Sequence, residues 1–241
     1  MRYGIISDIH GNLEALQAVL EQIERENVDQ YVCLGDIVGY GANPNECVNI
    51  VRSLTDKVVV GNHDHAAVGL VDLRYFNRYA REAAIWTAGV LTQENRDYLR
   101  SLPFKISEND ILFVHSTPSR PEKWRYLFLD YDVELQMRWY EEKLCFIGHS
   151  HQPLVFVKED DEIPEAFRLP ISVKDDARYV VNVGSVGQPR DSDPRAACVI
   201  ADLESGLIDL KRVPYDVEIA QRKIIRAGLP AFLAERLGVG E

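Results

Sequence analysis

An α/β fold is predicted by this sequence on three observations. Apolar runs of strand length recur along the chain. Segments of helical period separate the early ones, and five of the runs end abruptly in a block of histidine, aspartate or asparagine. Strand–helix alternation implies parallel strands joined by right-handed crossovers. Polar blocks at the carboxyl ends of buried strands are where open α/β sheets build their sites.

The first run covers residues 3–6 and ends at Asp8-Ile9-His10. Asn12 follows as a helix N-cap, ahead of Leu13, Leu16, Leu20 and Ile23 at helical spacing. A second strand over residues 31–34 ends at Gly35-Asp36, where the glycine is expected to let the backbone come close to a cation. A Gly/Pro/Asn loop leads to a second helix, with Asn43 as cap, Pro44 in the first turn and Glu46 three residues past the cap. Its Cys47, Val51 and Leu54 would face the sheet. A third strand, residues 58–60, runs into Gly61-Asn62-His63-Asp64-His65. Residues 66–102 read as mostly helical and carry no obvious ligand, an insertion or cap within one domain spanning residues 1–241. Further strands are predicted over residues 111–114, ending at His115, and 143–147, ending at Gly148-His149-Ser150-His151. Others cover 154–157, 179–183, 196–201 and 207–213, the last two joined by a hairpin turn at Glu204-Ser205-Gly206. Residues 158–165 read as an acidic solvated loop, and 217–237 as a terminal helix broken near Gly228-Leu229-Pro230.

With 241 residues, 46% of them hydrophobic, the chain can bury a substantial core. A net charge of -11 argues against the broad basic face that a stable nucleic-acid complex needs. It still admits a phosphate substrate, because bound divalent cations reverse the local potential. No run is long and apolar enough to span a membrane, and the opening Met1-Arg2-Tyr3 gives the expectation of no leader and a cytoplasmic location. The four cysteines form no C-x-x-C pair, and Cys33, Cys145 and Cys198 lie in apolar runs, which suits reduced, inert thiols.

All six histidines fall inside the polar blocks. One alone would be an ordinary core residue, but five strand-end blocks of oxygen and nitrogen ligands predict a metal centre. Asp8 and His10, one residue apart, can enter the same pocket, and His149 and His151 alternate so that each can reach a different ion. Asn62 offers a neutral amide oxygen, and Asp36 can bridge two cations with its two carboxylate oxygens. Ligands without thiolate favour Mn²⁺, with Fe, Zn, Ni or Co as alternatives. Two such ions about 3.5–4 Å apart would clamp a phosphoryl group and supply hydroxide for in-line attack.

The ordered set D-x-H, G-D, G-N-H-D, a lone His and G-H-x-H resembles the calcineurin-like metallophosphoesterase superfamily. The pattern is most similar to that of its small, single-domain bacterial and archaeal phosphodiesterases, and the run Gly184-Ser185-Val186-Gly187-Gln188-Pro189-Arg190 extends the likeness. The resemblance implies an α/β fold of two stacked mixed β-sheets flanked by helices, a four-layer sandwich with two divalent metal ions at one edge. It implies a first ion on Asp8, His10, Asp36 and His151, and a second on Asp36, Asn62, His115 and His149. His63 would face the scissile phosphate without binding metal, and Asp64 would hold its imidazole. The implied activity is two-metal phosphoester hydrolysis of a small substrate, with a phosphodiesterase foremost and a nucleotide among the candidate substrates. Dinucleoside polyphosphate hydrolase and protein phosphatase are the alternatives within enzymes, and self-association is left open. A partner-binding scaffold with a vestigial metal site is disfavoured, because it would have no need of His63 in an intact G-N-H-D.

Protein Ser/Thr phosphatases of the superfamily carry an arginine soon after the G-D block and end the next block in glutamate. Here the stretch is Gly35-Asp36-Ile37-Val38-Gly39-Tyr40-Gly41, followed later by G-N-H-D. Without that cation the site should accept a monoanionic diester. Substrate contacts are expected from Tyr40, Arg120 and Arg190, and from Asn12 if it is not simply a helix cap. The loop at residues 117–129, with Trp124, Arg125 and Tyr126, either grips a nucleoside or packs down. His65 either lines the pocket or packs the loop, and the 184–187 glycines either turn the chain or cradle an anion.

Overall fold

The structure is a computed structural model that describes residues 1–160 and 162–241. The first half runs β1 (Arg2–Ile6), α1 (Leu13–Arg25), β2 (Gln30–Cys33), α2 (Pro44–Leu54), α3 (Asn62–Ala67), α4 (Arg78–Val90) and α5 (Gln93–Ser101). There follow β3 (Lys105–Glu108), β4 (Ile111–Val114), α6 (Asp130–Met137), β5 (Leu144–Ile147), β6 (Leu154–Glu159), β7 (Glu165–Phe167) and β8 (Ile171–Ser172). The chain closes with β9 (Ala177–Asn182), β10 (Ala196–Asp202), β11 (Leu207–Val213), α7 (Val217–Arg226) and α8 (Ala231–Glu235).

Among the described residues these strands form two mixed sheets, ordered β2-β1-β10-β11-β8 and β3-β4-β5-β9-β6-β7. Side chains alternate across each strand, so Tyr3 and Ile5 of β1 face Phe113, Phe146, Val155 and Tyr179 of the other sheet. Ile6, Cys33, Cys198 and Ile200 face outward and are covered by Leu16, Val19 and Ile23 of α1 and Val48 and Val51 of α2. On the far side, Val133 and Met137 of α6 cover Leu112, Cys145 and Val180. The result is helix, sheet, sheet, helix, as the resemblance implied.

The alternation holds for the first crossover, and both sheets are mixed, as the resemblance implied. β1 pairs in parallel with β2, but its other edge is antiparallel to β10, which arrives almost two hundred residues later and then turns back as β11. Residues 58–60 do not form a strand. They meet β2 only through one Cys33–Val58 bridge, after which the Val60 amide turns to the carbonyl of Pro103. Three short edge strands, β3, β7 and β8, were not anticipated; they are polar or half-exposed and carry little apolar signal. The acidic stretch 158–165 is not simply a loop, because β6 runs to Glu159 and Glu165 pairs back with Val157 (residue 161 lies outside the described residues). The turn at 204–206 and the helix break at 228–230 fall where expected.

Candidate metal centre

Each proposed ligand leaves the end of a strand or opens a helix at the shared edge of the two sheets. Asp8 and His10 follow β1, Asp36 follows β2, His115 follows β4, His149 and His151 follow β5, and Asn62 begins α3. All seven are buried. Five of them have left-handed backbones: Asp8 (φ 53°), His10 (51°), Asp36 (50°), His149 (67°) and His151 (61°). Such conformations cost about 1–3 kcal/mol each in a non-glycine residue and persist where surrounding bonds enforce them. Here the amide of Asp8 donates to Gly35 O (3.0 Å) and that of His10 to Asp36 O (2.9 Å), so the two loops hold each other. Gly35 (φ 90°) lets the backbone pass close to the 59–61 segment, because a Cβ there would lie 2.8 Å from Val59 O and collide with the Gly61 amide.

The ligand atoms gather in two sets, Asp8–His10–His151 and Asp36–His115–His149. His151 Nε2 is 3.2 Å from Asp8 Oδ1, and His10 Nε2 is 3.1 Å from His151 Nε2. In the second set His115 Nε2 lies 3.4 Å from Asp36 Oδ2 and 3.3 Å from Asn62 Oδ1. Asp36 Oδ2 is also 3.8 Å from His10 Nε2, so this one oxygen stands between the sets. Its other oxygen accepts the His63 amide at 2.7 Å. Asp36 therefore stands between the two sets, with Oδ2 facing a histidine of each.

The proton inventory tests whether these groups suit cations. Nδ1 of His10, His115 and His151 each meets a backbone carbonyl, on Val38 (3.1 Å), Leu34 (2.7 Å) and Gln188 (2.5 Å). Carbonyls only accept, so each Nδ1 carries a proton and it is Nε2 that each ring turns inward, a bare lone pair wherever the ring is neutral. His149 is reversed: Nε2 meets Trp124 O at 2.9 Å, which leaves Nδ1 for coordination. The Nε2 atoms of His10 and His151 would then face each other lone pair to lone pair, beside an Asp8 Oδ1 that has no hydrogen-bond partner. A cation resolves this arrangement, and the donor set fits a divalent pair.

Charge follows the same geometry. Burial, reinforced by Arg190, pushes His151 down to about 3, and burial beside His115 pushes His149 down to about 4, so both rings are neutral. Burial acts to raise Asp8, but the histidines around it, His151 first, hold its carboxyl well below the usual range. Burial opposes protonation of His115, but the Asp36 charge and hydrogen bond raise it to about 9.

Asp64 is corrected. It does not hold the imidazole of His63: Oδ1 accepts the Val38 amide (3.1 Å) and Oδ2 the Gly61 amide (3.0 Å). His63 Nδ1 is buried without a partner, against Gly39 (φ 95°), where a Cβ would strike the ring. The His63 ring packs between Tyr40 (4.4 Å), His10 (4.9 Å) and Phe76 (5.0 Å) and lines a cleft of about 600 Å³. The 66–102 segment forms one wall of that cleft through residues 70–77, and Trp124 and Tyr126 form the other.

The remaining expectations divide. Tyr40 lines the cleft, and Arg190 Nη2 reaches its hydroxyl at 3.4 Å. Asn12 spends its amide on the fold, capping α1 at Ala15 N and donating to Gly187 O (2.9 Å). Arg120 is exposed and not among the residues lining the cleft. His65 packs edge-on against Phe104 and Trp124. Of the 184–187 amides, those of Val186 and Gly187 donate to Ser7 O and Asp8 O and that of Gly184 to Asn182 Oδ1, so three of the four are spent on the fold. Sequence reasoning passed over Ser7, whose hydroxyl donates to Asp8 Oδ2 (2.7 Å), and Phe76. Only the aromatic pair Tyr75-Phe76 inside an otherwise helical segment hinted at the latter.

Two carboxylate–imidazole sets beside an open cleft suit a two-metal hydrolase, and the family match makes this one a metal-dependent phosphoric ester hydrolase. The chain belongs to the calcineurin-like phosphoesterase superfamily, whose domain model matches residues 1–206. It is 45% identical over 240 residues to an uncharacterized protein of Methanocaldococcus jannaschii, covering 98% of this chain and 97% of that one. A crystal structure of a metallophosphoesterase from Sphaerobacter thermophilus matches with TM-score 0.87 and 39% identity, over 100% of this chain and 99% of that one. A symmetrical bis(5'-nucleosyl)-tetraphosphatase of Vibrio campbellii is 32% identical over 182 residues, 74% of this chain but only 64% of that relative.

Proposed function

We propose that this phosphoesterase is a phosphodiesterase, working with Mn²⁺ in a reducing cytoplasm. The observation that carries the reading is Tyr40. It occupies the stretch where protein phosphatases of the superfamily have an arginine, and its buried ring packs on His10 (4.7 Å) and His63 (4.4 Å) in the lining of the cleft. The nearby cation, Arg190, is tied to Gln188 Oε1 (2.9 Å) and to the Tyr40 hydroxyl. An aromatic face in place of a guanidinium removes the partner that a monoester dianion needs and leaves room for a second ester group.

When bound, a divalent pair polarises the phosphoryl group and makes water nucleophilic near neutral pH. Asp8, His10 and His151 would hold one ion, His115, His149 and Asn62 the other, with Asp36 shared. With Nδ1 buried, Nε2 is the nitrogen His63 presents to the leaving oxygen. Burial pushes the ring's pKa well below its usual range while the Asp36 charge opposes this, so it would give up a proton there only after the bound anionic phosphate had drawn one onto the ring. Tyr40 and Phe76 fix its ring, and the cleft walls shelter the phosphate from bulk water. The four free, buried cysteines suit a reducing location, and no helix among the described residues is long and apolar enough to cross a membrane.

The test is a matched panel with added Mn²⁺. Bis(nitrophenyl) phosphate should be hydrolysed with higher kcat/KM than nitrophenyl phosphate, and phosphoproteins should be poor substrates. A clear monoester preference would overturn the diesterase reading and make Arg190 the cation that replaces the missing one. The tetraphosphatase relative favours a second reading, hydrolysis of a dinucleoside polyphosphate, so diadenosine tetraphosphate belongs in the same panel.

A further inference from the structure

We propose that the cleft beside the metal centre is a nucleobase subsite, so that the leaving group is a nucleoside. This rests on the phosphodiesterase reading above. The cleft opens beside Asn62, His63 and His149, so a group attached to a phosphate held at the two ligand sets lies against its walls. What meets it there is aromatic. Phe76, from the 66–102 segment, touches the His63 ring at 5.0 Å. Tyr75 beside it is 86% exposed and also lines the cleft. On the facing wall Tyr126 lies flat on the ligand His149, with ring centres 4.0 Å apart and planes 14° apart, and Trp124 stands next to it.

Large aromatic side chains left open beside a reaction centre mark a binding surface. The cleft's polar lining speaks for a heterocycle rather than an acyl chain: Glu122, Lys123 and the Asn77 amide nitrogen offer acceptors and donors that a base edge can use and a hydrocarbon cannot, while Asp72 is paired with Arg74 and Asn77 Oδ1 caps α4. Its volume of about 600 Å³ takes a nucleoside. Base stacking on aromatic side chains is worth about 1–3 kcal/mol, which corresponds to roughly 5- to 150-fold in affinity.

The test compares AMP with ribose 5-phosphate on the Mn²⁺-loaded protein by calorimetry. Both carry the same phosphate, and only AMP carries a base. AMP should bind about 5- to 150-fold more tightly. Tyr75→Ala and Phe76→Leu should shrink that ratio towards one while two metals remain bound. A ratio near one in the unaltered protein overturns the subsite, as does a ratio that neither substitution changes. Hydrolysis of bis(nitrophenyl) phosphate separates the two failures. Turnover without base preference sinks the subsite alone, whereas no turnover with both metals bound sinks the phosphodiesterase reading beneath it.

Discussion

His63 and Asp64 are neighbours in sequence with different duties. His63 faces the cleft without entering either ligand set, so His63→Ala should cost about 10²–10⁴-fold in kcat while metal analysis still finds two ions. The loss should shrink on nitrophenyl esters, whose leaving group scarcely needs a proton. A parallel fall in metal content would make His63 a ligand. Asp64 is a brace. It fixes the Val38 amide, and Val38 O in turn orients His10; it also fixes the Gly61 amide, just ahead of Asn62. Asp64→Ala strands two buried amides at about 1–3 kcal/mol each and loosens one ligand from each set. Thermal unfolding should show the lost stability, and the Mn²⁺ concentration for half-maximal activity should rise. Unchanged metal affinity would remove the bracing role. The identity of these residues was legible from the G-N-H-D block, but their partners were not: Val38 and Asp64 are 26 positions apart, and spacing says nothing about such a contact.

At the scale of elements, α1 joins the strand that carries Asp8 and His10 to the late 184–188 turn. Asn12 makes the joint, capping the helix and holding the Gly187 carbonyl, while the Gly187 amide holds Asp8 O. Asn12→Ala should cost about 0.5–2 kcal/mol from the cap, read as a shift in denaturation midpoint, with KM for phosphodiesters unchanged. A rise in KM at constant stability would return Asn12 to the substrate. The cap was legible because N-capping is local. The joint was not, since its other half lies 175 residues away. The edge strands β3, β7 and β8 were missed for a related reason, because a half-exposed strand is set by its partner more than by its own residues.

For the whole molecule, the two sheets bring their ligand-bearing ends to one edge, and Asp36 Oδ2 is where the sets meet. Asp36→Ala should therefore lose both ions, whereas Asp8→Ala should mainly weaken one, as metal analysis of the purified variants would show. Equal loss from both would mean that the sets are not separable. The candidate ligands, their order and the α/β class could be read from the chain because each is local: an apolar run stops, and the residues that follow must sit at its end. Which histidine nitrogen faces inward, which oxygen of Asp36 is free, and where the cleft runs depended on contacts between segments far apart in sequence. So did the position of β10 beside β1. Hydrogen bonding and packing across the assembled sheets decide such matters, and no window of neighbouring residues contains them.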